Sequence, residues 1–139
     1  MELEAFELVI LRRPPDAPEY DEATLERLQR EHLAFHADLR ARGIVATNGP
    51  VLDQPDESVR GLALYRTGSL EHARKLAQRD PSVAAGRLVV EVMTWWCPAG
   101  TMRLAGAAVS LDEQGARRQS RAAWNHEKPG QWRRGESNP

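Results

Sequence analysis

His32 stands inside an apolar stripe formed by Leu25, Leu28, Phe35 and Leu39, whose spacings of 3, 7 and 4 put them on one face of a helix. An imidazole in that stripe points at a core rather than at water. It then needs hydrogen-bond partners, because an unsatisfied buried polar group costs about 1 to 3 kcal/mol. Two readings stand: a core histidine satisfied by a backbone carbonyl, or a proton-transfer group. Asp80 is the second anomaly. It precedes Pro81 and falls where a second helix should end, at the negative pole of the macrodipole, where a carboxylate calls for a nearby cation. If both helices lie on one face of a sheet, His32 and Asp80 can meet, the carboxylate orienting the ring and favouring its protonated form. That is a general acid/base arrangement. The plainer alternative is that Asp80-Pro81 is a helix stop.

Other residues could complete a pocket around such a pair. Asn48 offers an amide able to hold a carbonyl or an oxyanion, although Asn before Gly is commonly a turn residue. Gly49 and Pro50 end or bend a strand, either as a bulge or to let a ligand approach closely. Trp95 and Trp96 close the last strand on opposite faces, so that Trp95 could wall a pocket for a planar ligand while the other packs at the dimer face; filling the core is the simpler role for both. His32 and His36 have the i,i+4 spacing of a metal pair, but the run His-Leu-Ala-Phe-His lacks the glutamate of the zincin motif. No metal and no cofactor are expected. Cys97-Pro98 lies at a strand end with no base nearby in sequence, and is read as inert. No phosphate-binding glycine loop and no G-x-S-x-G elbow occurs.

Six elements must position these residues. Glu4–Leu11 is apolar on both faces until Arg12-Arg13-Pro14-Pro15 stops it, and reads as a strand. Asp21 caps a long amphipathic helix that Gly43 closes. Ile44–Val51 and Val59–Arg66 make a hairpin across a turn-rich connection. Ser69 caps a second helix with Leu70, Ala73, Leu76 and Ala77 on one face, ending at Asp80-Pro81, and Leu88–Trp96 is the last strand. The order βαββαβ is the split-βαβ, ferredoxin-like motif of the α+β class, an antiparallel sheet with both helices on one face. The other face is apolar too and must be covered. A second copy of the chain is the expected cover, giving a homodimer, with the chain's own Ala99–Leu111 segment as the alternative.

His32-Leu33-Ala34, Gly43, Asn48-Gly49-Pro50 and Asp80-Pro81-Ser82-Val83-Ala84-Ala85-Gly86 together resemble the signature of the YciI-like (YCII-related) family. The resemblance covers residues 1–100. It implies a dimeric α+β barrel of ferredoxin-like topology and places His32 and Asp80 on the family's paired histidine and aspartate. Most of that family has no assigned substrate. Joined to the residue pair, the resemblance suggests a lyase, isomerase or dehalogenating eliminase acting on a small metabolite. The alternative is a non-catalytic module that binds a small ligand or a partner protein.

Composition narrows the setting. In 139 residues, 19 Lys and Arg balance 20 Asp and Glu for a net charge of -1, so the global basic excess of a nucleic-acid binder is missing and no nucleic-acid partner is expected. The single cysteine and a start without a basic leader point to the cytoplasm, and no apolar run reaches the roughly 20 residues of a membrane span. Large aliphatic residues stop at Leu111. Residues 101–139 therefore read as an extension, mostly disordered beyond 112, with Arg117, Arg118, Arg121, Arg133 and Arg134 as its possible contact residues.

Overall fold

The computed structural model describes residues 1–104, and the extension beyond them, with its expected disorder, lies outside the described residues. The elements run β1 (Leu3–Arg12), α1 (Glu22–Ala41), β2 (Val45–Pro50), β3 (Val59–Tyr65), α2 (Leu70–Ala77), α3 (Pro81–Ala84) and β4 (Val89–Pro98). Four strands form one antiparallel sheet in the order β2-β3-β1-β4. This is the expected α+β arrangement with its ferredoxin-like order. Among the described residues no helix is long and apolar enough to cross a membrane.

Local signals set the helix ends. The Asp21 carboxylate accepts from the Thr24 amide at 2.8 Å, satisfying one of the orphan donors of the first turn of α1. Gly43, at φ 75°, turns the chain out of the helix where an L side chain would be strained. Ser69 caps α2 by accepting from the His72 amide. The second helix is shorter than the sequence suggests. It stops at Ala77, and Asp80 opens a separate turn of helix, α3, in which Pro81 takes the first position. Proline lacks an amide hydrogen and suits that position, so Pro81 starts a helix here in addition to ending one.

Alternation along the strands sorts the side chains. Val9 and Leu11 of β1, Ala63 and Tyr65 of β3, and Leu88 pack with Leu39, Ala73 and Ala77 from the helices. The opposite face carries a smaller cluster of Phe6, Leu64 and Cys97 against Leu8 and Ala46. Met102, from the segment after β4, packs on this second cluster and so covers one end of that face. Leu62, Val89, Met93 and Trp95 remain exposed on it. Cys97 is buried and free, in keeping with its inert reading. The irregularity in β2 lies between Val45 and Thr47 and not at Gly49-Pro50, which corrects the bulge expected there. Gly49 and Pro50 pair regularly with Leu62 and Gly61.

The turn into β4 is held from outside. The Tyr20 hydroxyl donates to the Ala85 carbonyl at 2.6 Å, and Gly86 at φ 80° would bring an added Cβ within 3.4 Å of the Pro18 ring. Gly86→Ala should therefore cost about 1 to 2 kcal/mol, the penalty of a left-handed L residue, read as a lower urea midpoint with unchanged slope. An unaltered midpoint would show that this turn relaxes freely.

Candidate functional site

Helix α1 presents Leu28, Gln29, His32, His36 and Leu39 as its buried residues. The buried face is thus rotated from the stripe read in the sequence, and His36 enters it. Nδ1 of His32 donates to Oδ2 of Asp80 at 2.7 Å, and Nε2 of His36 donates to the same oxygen at 3.0 Å. The other carboxylate oxygen, Oδ1, accepts from the Ser82 amide at 3.0 Å. His32 is 3% exposed, His36 1% and Asp80 0%. The pair expected between His32 and Asp80 is present, as part of a three-residue set.

The position of Asp80 differs from the expectation in a way that matters electrostatically. It stands at the N-terminal end of α3, where the amide hydrogens point at it, and not at the negative end of α2. Burial raises the cost of its charge, yet the hydrogen bonds from His32 and His36 and their nearby charge outweigh that cost and hold the carboxyl at about 2. For His36, loss of hydration is the largest influence and lowers its proton affinity despite Asp80. A neutral imidazole still donates its N–H, so an ionised Asp80 and an uncharged His36 are compatible. Burial, with the charge of Asp80 added, raises the Tyr65 phenol well above its ordinary value.

His32 also lines a small cavity with Asn48, Gly49, Arg60, Gly61 and Leu62. Its volume of about 10 Å³ is close to the room one water needs. The Arg40 guanidinium donates to Oδ1 of Asn48, which leaves the amide nitrogen as the donor end of that side chain. An added Cβ at Gly49 would meet nothing within 4 Å, so the rim is open there. Pro50 follows as the last residue of β2, beside Gly61.

Trp95 does not join them. Its register partner is Phe6, which puts it on the sheet face away from His32, where it is 49% exposed. Trp96 pairs with Ala5 on the helix side and is exposed as well, so neither tryptophan fills the core. His36 also reaches Asp80, by a hydrogen bond and not as the metal pair that its four-residue offset from His32 suggests in the sequence. Gln29, Arg40 and Arg60 gave no signal of their own. A much larger cleft, about 750 Å³, lies under the 13–20 loop with Arg12, Arg13, Tyr20, Leu25 and Arg87 in its walls. Neither His32 nor Asp80 lines it. The Arg12 guanidinium there is already bonded to Glu91 and Asp56.

Among the described residues, His32, His36 and Asp80 are also the group whose donor atoms crowd closely enough to suggest an ion, all within 4.8 Å of one another. The His32 to Asp80 distance of 2.7 Å is that of a hydrogen bond. Two ligands each about 2.0 to 2.2 Å from a tetrahedral ion stand farther apart than that. The geometry fits protons better than a metal.

A ferredoxin-like α+β domain whose helix face buries a histidine oriented by a carboxylate is the class that this fold and this site define. The chain belongs to the YCII-related domain family, whose model matches residues 8–96. No curated protein matches it. Among solved structures it is similar to the 5-chloro-2-hydroxyhydroquinone dehydrochlorinase of Burkholderia phenoliruptrix AC1100, determined with 2,5-dihydroxybenzoquinone. The two share 17% identity over 68% of this chain and 95% of that one, with a TM-score of 0.42.

Acid should undo this site in two stages. His36 binds a proton more readily unfolded than folded, so stability falls as pH drops through its ordinary value of 6.5. Asp80, held at about 2 against 3.8, then withdraws a further contribution between roughly pH 4 and 2, about 2 kcal/mol in size. Urea midpoints should hold between pH 8 and about 7 and decline from there to pH 3, and Asp80→Asn should flatten the lower part. A native profile flat down to pH 4 would contradict this assignment of charges.

Proposed function

We propose that this protein is a small-molecule acid/base enzyme in which His32 moves the proton and Asp80 holds the ring for it. The observation that carries the reading is the short contact from His32 to a carboxylate buried completely. It commits a proton to Nδ1 and the lone pair to Nε2, in a ring that borders a small cavity with Asn48 and Arg60 in its wall. This is the orienting role that a carboxylate plays beside a catalytic imidazole.

In this reading Nε2 accepts a proton from a carbon next to a carbonyl, or from a phenol, and the electron pair stays on the substrate as an enolate or phenolate. The Asn48 amide and the Arg60 guanidinium are the groups on the cavity wall suited to that negative oxygen. Gly49 leaves the approach open, and Pro50 fixes the strand end behind it. The imidazolium, steadied by Asp80, returns its proton at another carbon in an isomerisation. In an elimination the electron pair expels an anion, and the proton leaves to solvent. Lyases, isomerases and dehalogenating eliminases share this first step. No cofactor is invoked. The lone buried Cys97 is in keeping with a reducing compartment such as the cytoplasm.

One observation favours a second reading. A ring 3% exposed beside a cavity for one water suits a structural latch between α1 and α3 in a non-catalytic binding module. A titration separates the two. With His32 as a working base, its ring resonances should titrate in the native protein, with a pKa that falls by about 1 unit or more in Asp80→Asn. His32→Gln should lower turnover of a responding small acid or phenol by about 100-fold or more. A ring silent between pH 5 and 9, or equal turnover in both proteins, would remove His32 from the chemistry and leave the latch.

The partner proposed for the open sheet face is a second copy of the chain. Leu62, Val89, Met93 and Trp95 expose one apolar surface there, of a kind seldom left to water. Light scattering should give the mass of two chains, and Trp95→Glu with Met93→Glu should halve it. A native protein that stays single at high micromolar concentration would rule this out.

A further inference from the structure

His36 spends the same Asp80 oxygen that His32 uses, and its other nitrogen, Nδ1, is buried without a hydrogen-bond partner. An apolar residue of similar size at this position would avoid that orphaned nitrogen, which costs about 1 to 3 kcal/mol. Phe35 and Leu39 beside it show that the helix accommodates apolar side chains here. The expense therefore calls for a return, and the shared oxygen supplies one. We infer that His36 is a positioning residue that sets the proton affinity of His32 by dividing the Asp80 carboxylate between two rings.

The inference rests on the acid/base reading above, and its physical basis is competition. A carboxylate oxygen that accepts two N–H groups presents less negative charge to each. Donation from His36 thus weakens the pull of Asp80 on a proton at His32 Nε2. With Ser82 holding Oδ1, the carboxylate is fixed from three sides and cannot turn toward His32 alone. Burial lowers the proton affinity of His36, and the neighbouring His32 and then the Arg40 guanidinium lower it further. The other groups around the set are Tyr65 of β3, kept neutral by burial, and Arg60, which borders the His32 cavity. The Tyr65 hydroxyl does not donate to Asp80 Oδ2. The consequence is a carboxylate that still orients His32 but pulls less strongly on a proton at its far nitrogen, which favours the general-base role.

The test uses ring NMR titration of the full chain, with Asp80 left intact. His36→Leu removes the donor, and the His32 pKa should rise by about 0.5 to 1 unit; His36→Gln, whose amide can donate without titrating, should return most of that shift. If a substrate is in hand, the acid limb of its pH profile should move in the same direction and by the same amount. A purely structural His36 would lower stability in both variants and leave the His32 pKa where it was, which would overturn the proposal. Should His36→Leu fail to fold, the native protein decides by its ring nitrogen shifts. His36 must remain the neutral, Nε2-protonated form while His32 titrates, and protonation of the two in step would be equally fatal. A His32 that responds to Asp80→Asn but not to the His36 variants would remove this inference alone, whereas one indifferent to both would take the acid/base reading with it.

Discussion

A carboxylate with no exposed surface governs the helical half of this protein. An ionised Asp80 is tolerable in the interior because three donors answer its two oxygens: two imidazoles from α1 and a backbone amide from α3. The donors come from two helices, so satisfying one charge fixes the rotation of α1, the start of α3 and the distance between them. Removing a single partner would leave the remainder buried and unpaired, which is why such sets are costly to break.

The same constraint bears on the acid/base chemistry proposed for the site. A charge that burial would normally neutralise persists because the donors are preorganised, and its effect is to decide which nitrogen of His32 carries a proton. Asn48 is settled in a comparable way, since Arg40 near the end of α1 takes its oxygen. The structure is therefore economical around His32: the helix that carries the ring also fixes the amide across the cavity from it.

The two faces of the sheet serve different ends. The helix face holds the larger core and the polar set within it, while the opposite face buries Phe6 and Leu64 yet leaves Met93 and Trp95 to solvent in a single chain. Close packing under α1 and α2 accounts for the stability of the site. The open face offers apolar area to whatever covers it, and Met102 takes only one corner.

The order of the four strands and the two longer helices, the helix caps at Asp21 and Ser69, and the oddity of His32 in an apolar stripe were legible in the sequence, because these depend on periodicity and on contacts a few residues apart. The sequence also marked Asp80-Pro81 as a boundary. Which side of the boundary Asp80 serves was decided only in three dimensions, since the three residues between Ala77 and Pro81 can end one helix or lead into another. Parity along β4 put Trp95 and Trp96 on opposite faces, but pairing with Phe6 and Ala5 of β1 decided which face carries the helices. The contact of His36 with Asp80 was hidden for a related reason. Its meaning comes from an oxygen 44 residues away in the chain, and no local pattern encodes the angle at which two helices bring such atoms together.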